Sequence, residues 1–182
     1  MKHRWILVLG LGLAIAGLVN PAEADDPVTW LYEERQDPMG RGAIKYALVV
    51  STNAVTFDFP YGGPQEAILQ LRTHPTYGKD VILRLFRAQF LCHTHDDSCR
   101  VTMRFDGGKP QSFSAVGPDD HSTSTLFIQG YDRIVPQLKK AKKLQVEAMF
   151  YRDGRRVFEF DVAGLTWETP AKPTVKPKAK AK

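Results

Sequence analysis

Three histidines have the residue type and the polar surroundings that metal binding requires. His93 and His95 stand next to Asp96 and Asp97 in one short polar stretch, and His121 follows two aspartates in another. A His-x-His pair binds zinc or copper where a third ligand converges on it. Nothing in the sequence places His121 beside the pair, so solvated loop histidines are the alternative interpretation.

Cys92 and Cys99 are the only cysteines of the chain, and they flank the stretch that holds the His-x-His pair. Their spacing is not the C-x-x-C of a redox site, and two cysteines alone do not complete a structural zinc site. If the segments on either side pair as strands, the two residues come within disulfide distance. We therefore predict a structural Cys92–Cys99 disulfide.

The other groups that could act in catalysis lack a supporting motif. No serine stands in a G-x-S-x-G turn, and the glycine pairs at Gly62 and Gly107 precede no helix, as a phosphate loop would require. The carboxylates on apparent strands are expected on a solvated outer face; they are Asp58, Asp106, Glu147, Glu159 and Asp161. The sequence therefore predicts neither an enzyme nor a cofactor site.

Two apolar, β-prone runs surround the cysteines, over residues 81–91 and 100–106. In the second run Val101, Met103 and Phe105 alternate with polar residues, a pattern typical of a strand with one buried face. We interpret the two runs as the arms of one hairpin, closed by the disulfide, at the centre of a sheet.

The rest of the chain continues this β pattern and contains one helical segment. The helix is expected over residues 131–143 with Asp132 as its cap, followed by a hairpin that turns at Asp153-Gly154. An edge strand anchored by Trp30 is expected before the first long strand. Seven to nine strands are expected in all. This predicts a mostly β fold, an antiparallel β-sandwich or flattened barrel with one short helix near the C-terminal hairpin.

The first 24 residues have the organisation of a signal peptide. Lys2 and Arg4 precede an apolar run over residues 5–19, and Ala22-Glu23-Ala24 is a small-x-small cleavage signal. No second long apolar run follows, so we expect no transmembrane segment after cleavage and a periplasmic or secreted protein. An oxidising compartment also favours the disulfide.

The basic charge of the chain lies in its C-terminal tail. The formal net charge is +5, yet residues 25–170, the predicted single domain, hold 18 basic and 19 acidic residues. This balance argues against sequence-specific nucleic-acid binding. The segment over residues 171–182 has the composition of a disordered tail and is expected to attract anionic envelope components, with a solvated tail as the alternative. Its lysines are Lys172, Lys176, Lys178, Lys180 and Lys182.

Several core and turn residues resemble those of exported proteobacterial proteins of uncharacterised function. They include Trp30, Asp37-Pro38-Met39, Pro60-Tyr61-Gly62-Gly63, the two cysteines, Arg104-Phe105-Asp106, Leu126-Phe127-Ile128, Lys139-Lys140-Ala141-Lys142, Phe158-x-Phe160-Asp161 and Gly164-Leu165. The pattern is distantly similar to the invasion-associated locus B proteins and to the type VI secretion accessory protein VasI. The resemblance implies a β-sandwich in the cell envelope and contributes no catalytic motif.

These observations predict an exported binding module that acts through contacts with a protein or an envelope component. An inhibitor, immunity or secretion-accessory role fits a small, disulfide-closed domain. The alternative is a metal-binding protein or metal-dependent enzyme that uses His93, His95 and His121.

Overall fold

The computed structural model describes residues 30–92 and 99–168. The predicted signal peptide, the predicted tail and residues 93–98 lie outside these ranges. The described chain is mostly β, with eleven strands and one short helix. In chain order the elements are β1 (Leu31–Gln36), β2 (Ala43–Val50), β3 (Val55–Phe57), β4 (Gly63–Gln65), β5 (Ala67–His74), β6 (Gly78–Leu85), β7 (Arg100–Phe105), β8 (Gln111–Val116), β9 (Thr125–Ile128), α1 (Tyr131–Leu138), β10 (Lys143–Phe150) and β11 (Gly154–Asp161).

Nine strands form one antiparallel sheet in the order β1-β2-β5-β6-β9-β8-β7-β10-β11, and β3 pairs with β4 in a separate hairpin. The inward residues of β2, β5, β6 and β9 join those of β7, β8, β10 and β11 in a single buried cluster. The large sheet therefore folds over on itself around one core. This confirms the predicted mostly β, sandwich-like or flattened-barrel fold.

The loop after β2 lies against β11, the last strand at the other end of the large sheet. The carboxamide of Asn53 accepts a hydrogen bond from the N–H of Glu159 at 2.7 Å and donates one to the carbonyl of Val157 at 3.0 Å. The N–H of Thr52 also donates to the Glu159 carbonyl, at 2.6 Å. These contacts satisfy backbone groups of β11 that an open sheet edge would leave unpaired.

Two tryptophans fix the ends of the described chain to the core. The indole N–H of Trp30 donates to the carbonyl of Val162 at 3.1 Å, which confirms the predicted anchor of the edge strand β1. The indole N–H of Trp167 donates to the phenol oxygen of Tyr131 at 2.6 Å, in a buried site. Burial raises the pKa of Tyr131 above its usual value. The phenol therefore stays neutral over the physiological range.

The predicted hairpin between residues 81–91 and 100–106 is wrong. β6 pairs with β5 and β9, whereas β7 pairs with β8 and β10, so the two strands are not neighbours. After β6 the chain crosses to the end of β10, where the N–H of Leu91 donates to the carbonyl of Met149 at 2.9 Å. Cys92 and Cys99 still form the predicted disulfide, with their Cα atoms 4.8 Å apart.

The helix is shorter than its sequence pattern indicated. It begins after Gly130, whose φ of 98° is left-handed, and no side chain caps it; Asp132 lies in its first turn instead. It ends at Leu138, and Lys143, expected in the helix, begins β10. Within the described ranges no helix has the length and apolar character to cross a membrane.

The predicted hairpin of β10 and β11 is present, but its turn differs. Phe150 pairs with Gly154, so three residues connect the strands, rather than the two-residue Asp153-Gly154 turn that was expected. Arg152 and Gly154 have left-handed φ values of 66° and 68°, and these two residues help to reverse the chain direction at the turn. The inner faces match the predicted alternation, since Val146 and Phe158 are fully buried.

Asp106 connects the end of β7 to the start of β10 and makes the fold sensitive to acid. Its Oδ1 accepts the backbone N–H groups of Lys142 and Lys143, both at 2.8 Å. These bonds, first that from Lys143, lower the pKa of the Asp106 carboxyl. A carboxyl whose pKa is lower in the folded state stabilises the fold above its unfolded pKa, near 4, and loses this contribution as the pH falls through its folded pKa.

We therefore expect Asp106→Asn to lower the melting temperature at neutral pH, because the amide keeps the shape but accepts weaker, uncharged hydrogen bonds. The difference between the two proteins should shrink as the pH falls below about 4. Thermal unfolding of both proteins across this pH range measures it. A difference that stays constant in acid would contradict the ionised carboxylate as its source.

Candidate functional site

A concave surface on the outer face of β1, β2, β5, β6 and β9 is the candidate functional site. It encloses an open cavity of about 360 Å³ with the loop between β8 and β9 as one wall. We call it the arginine groove, after Arg35, Arg72 and Arg84, which line it. The volume falls within the range of small-ligand sites in proteins.

Strand alternation explains how the groove arises on the face opposite the core. In β5, Leu69 and Leu71 are fully buried in the core, whereas Gln70 and Arg72 line the groove. Antiparallel register then places Tyr46 opposite Arg72. In the same way the remaining groove residues face outwards in a common layer. They include Leu48, Ile82 and Phe127.

Two of the three arginines are already neutralised by carboxylates. Arg35 Nε lies 2.5 Å from a Glu33 carboxylate oxygen, and this partner raises the pKa of Arg35. Arg72 donates to one oxygen of Asp80 at 2.6 and 2.8 Å. These two pairs add little net charge to the groove.

The same two arginines also lie over aromatic rings. The guanidinium of Arg35 is 6.0 Å from the ring centre of Tyr46, and that of Arg72 is 5.5 Å from the ring centre of Phe127. Cation–π contacts of this kind hold the guanidinium in place and cover one face of each ring. The groove is therefore preorganised, with its aromatic faces partly occupied by its own arginines.

Arg84 and Gln70 are two polar groups of the groove whose side chains make no ion pair or hydrogen bond within the described part of the chain. Arg84 is exposed and has no carboxylate within 4 Å there. Gln70 is only 5% exposed, and its side chain makes no hydrogen bond to the described residues. Both groups keep donors available for a bound molecule.

The structure describes one of the three predicted metal ligands. His121 is an exposed residue with a φ of 59° in the loop that walls the groove, and it does not line the cavity. His93 and His95 lie outside the described residues. Among the residues that are described, no group of three His, Cys, Asp or Glu side chains is arranged to hold a metal ion.

The predicted envelope-binding lysines of the tail also lie outside the described residues. Cys92 and Cys99 are the predicted site residues that the structure brings together. Among the predicted surface carboxylates, Asp106 binds backbone N–H groups, while Glu147 and Asp161 form ion pairs with Arg155 and Lys143. Asp106 and Glu159 line one open cavity beside the start of β10.

Comparison with known proteins finds no family model, no curated protein and no solved structure that matches this chain.

Sequence reasoning did not find the arginine groove. One signal was present: Gln70 interrupts the apolar run of Ile68, Leu69 and Leu71. A polar residue in such a run indicates a strand whose outer face lies outside the apolar core. The neighbours of that residue depend on the strand order, which the sequence pattern does not give.

Proposed function

We propose that this protein is an exported binding module that recognises a protein or cell-envelope component through the arginine groove. The observation that carries the proposal is the preorganised groove, in which Arg84 and Gln70 stay unpaired within the described chain. In binding sites a few fixed polar groups of this kind orient the ligand and give specificity. The activity proposed is binding, without a chemical step.

Export is part of the proposal and is supported by two features. The first 24 residues have the sequence of a signal peptide. The Cys92–Cys99 disulfide is typical of proteins in oxidising compartments. The resemblance to exported proteobacterial proteins agrees with both. On this proposal the protein is periplasmic or secreted, and the lysine-rich tail adds a salt-dependent attraction to anionic envelope surfaces.

The test is capture from an envelope extract by the immobilised exported protein. We expect a component that is retained by the wild-type protein and lost with Arg84→Gln, because the variant removes the free guanidinium of the groove. Arg100→Gln is the matched control, since Arg100 is an exposed arginine on β7, outside the groove. Deletion of residues 171–182 separates any contribution of the tail.

Equal retention by the wild-type protein and Arg84→Gln would contradict the groove as the contact surface. Retention that only the tail deletion abolishes would instead assign the contact to the lysines.

A further inference from the structure

The free guanidinium of Arg84 indicates the charge of the molecule that the arginine groove would bind. Arg35 and Arg72 line the same groove and each has its own carboxylate, whereas Arg84 has none within the described chain. A guanidinium presents its N–H donors in a planar fork that fits a carboxylate with two parallel hydrogen bonds. Arg84 therefore has the geometry to bind an anionic group that enters the groove.

Gln70 is the second, independent sign of a ligand. On the sheet it lies between Leu48 of β2 and Ile82 of β6, which are its cross-strand neighbours. An amide among apolar side chains is unfavourable unless its polar atoms form hydrogen bonds. No buried side-chain nitrogen or oxygen in the described chain is both sealed from solvent and without a partner. The amide of Gln70 therefore opens into the groove that it lines.

The sheet register brings Gln70 and Arg84 close enough to share one ligand. Gln70 is opposite Ile82, and Arg84 is two residues further along β6 on the same face. Such diagonal neighbours have Cα atoms about 7–8 Å apart, within the combined reach of these long side chains. The amide N–H₂ and the guanidinium can then donate to the same oxygen-bearing group.

The charges around Arg84 favour a ligand with a single negative charge over a phosphate ester. Glu33 already lines the groove beside Arg35, and Asp120 lies in the loop that forms its wall. Since Arg35 and Arg72 are already paired with their own carboxylates, the second charge of a phosphate monoester, which carries about −1.5 to −2 at neutral pH, would find no cation to neutralise it. A carboxylate matches the one free arginine.

The apolar row beside Arg84 favours a peptide over a sugar acid. Leu48 and Phe127, which are half-buried, offer carbon surface to an apolar group next to the carboxylate, whereas Ile82 is only 4% exposed. Sugar rings typically stack on free aromatic faces, but Arg72 lies over Phe127 and Arg35 over Tyr46. The groove thus offers a ligand one free guanidinium, that of Arg84, next to apolar side-chain surface.

We infer that the arginine groove binds a peptide carboxylate that adjoins an apolar side chain. Arg84 holds the carboxylate, Gln70 donates a further hydrogen bond, and Leu48 and Phe127 contact the apolar group. This inference rests on the proposed binding function and names the chemical class of its ligand.

N-Acetylphenylalanine is the test probe, because it joins a carboxylate to an apolar side chain. Its carboxamide is the matched neutral control. We expect saturable NMR shifts of the Arg84 and Gln70 side-chain N–H signals with the acid and none with the carboxamide. Arg84→Gln should weaken binding of the acid by about 10- to 100-fold, as loss of charge-assisted hydrogen bonds predicts.

Gln70→Leu should weaken binding by about 3- to 10-fold, the effect of one neutral hydrogen bond. Its leucine fits the apolar row, so thermal unfolding should show a folded protein. Arg100→Gln should bind like the wild-type protein. Tighter or equal binding of phenyl phosphate or of glucuronate would overturn the inference, as would an affinity that Arg84→Gln leaves unchanged.

The two proposals fail in different ways. Envelope capture that depends on Arg84, together with no binding of N-acetylphenylalanine, overturns the ligand class and leaves the groove as the contact surface. Capture that is independent of Arg84 overturns the proposed function itself.

Discussion

Phe150→Ala is expected to lower the free energy of unfolding by about 3 to 5 kcal/mol, the range for truncating a buried phenylalanine. The side chain is only 1% exposed and lies at the end of β10. Its ring centre is 4.9 Å from that of Phe57, 4.6 Å from that of Phe90 and 6.0 Å from that of Phe158. One truncation therefore removes the shared neighbour of three rings from different segments.

Denaturant unfolding of the wild-type and variant proteins, with the disulfide intact, measures this difference. Phe86→Ala is the matched control: Phe86 is 89% exposed, so its loss should change the stability by no more than about 0.5 kcal/mol. Phe150→Leu should fall between the two, because leucine fills part of the space. A loss below about 1 kcal/mol for Phe150→Ala would show that the ring cluster does not stabilise this end of the sheet.

Strand faces were predictable from the sequence because they depend on local alternation. Val101 and Met103 of β7 are buried as the period-two pattern indicated. The same holds for Val146 of β10 and Phe158 of β11. A strand with one buried face must repeat every two residues, so the pattern is present in the sequence wherever the core lies.

Strand pairing was not predictable in the same way, because it depends on contacts between distant segments. The two runs beside the cysteines read as hairpin arms since they are adjacent in sequence and closed by a disulfide. In the structure β9, which begins at Thr125, occupies the position beside β6. The segment after β6 pairs instead with the end of β10, through an isolated bridge between Phe90 and Phe150.

The candidate site was missed for the same reason. Gln70, Arg72 and Arg84 become one surface only when β5 and β6 are known to be neighbours and their register is fixed. Phe127 joins that surface from a segment more than forty residues away in the chain. Periodicity assigned residues to faces, but it could not assemble one face from several strands.

Replacing both cysteines, as Cys92→Ser with Cys99→Ser, is expected to lower the free energy of unfolding by about 2 to 3 kcal/mol. The disulfide links residues 7 apart in sequence, and closing so short a loop restricts the unfolded chain by roughly 2.5 kcal/mol on the chain-entropy model. It also joins the Leu91 segment, bonded to β10, to the start of β7.

The measurement compares denaturant unfolding of the oxidised protein, of the double variant and of the wild-type protein under reducing conditions. The last two should unfold at similar denaturant concentrations, because both lack the same cross-link. If the oxidised protein is no more stable than either, or if the native exported protein is alkylated at both thiols, the disulfide does not stabilise the fold. Because the bond joins segments beside β10 and β7, and the groove is built on β1, β2, β5, β6 and β9, its loss should leave the arginine groove intact. Binding of N-acetylphenylalanine by the folded double variant should therefore match that of the wild-type protein.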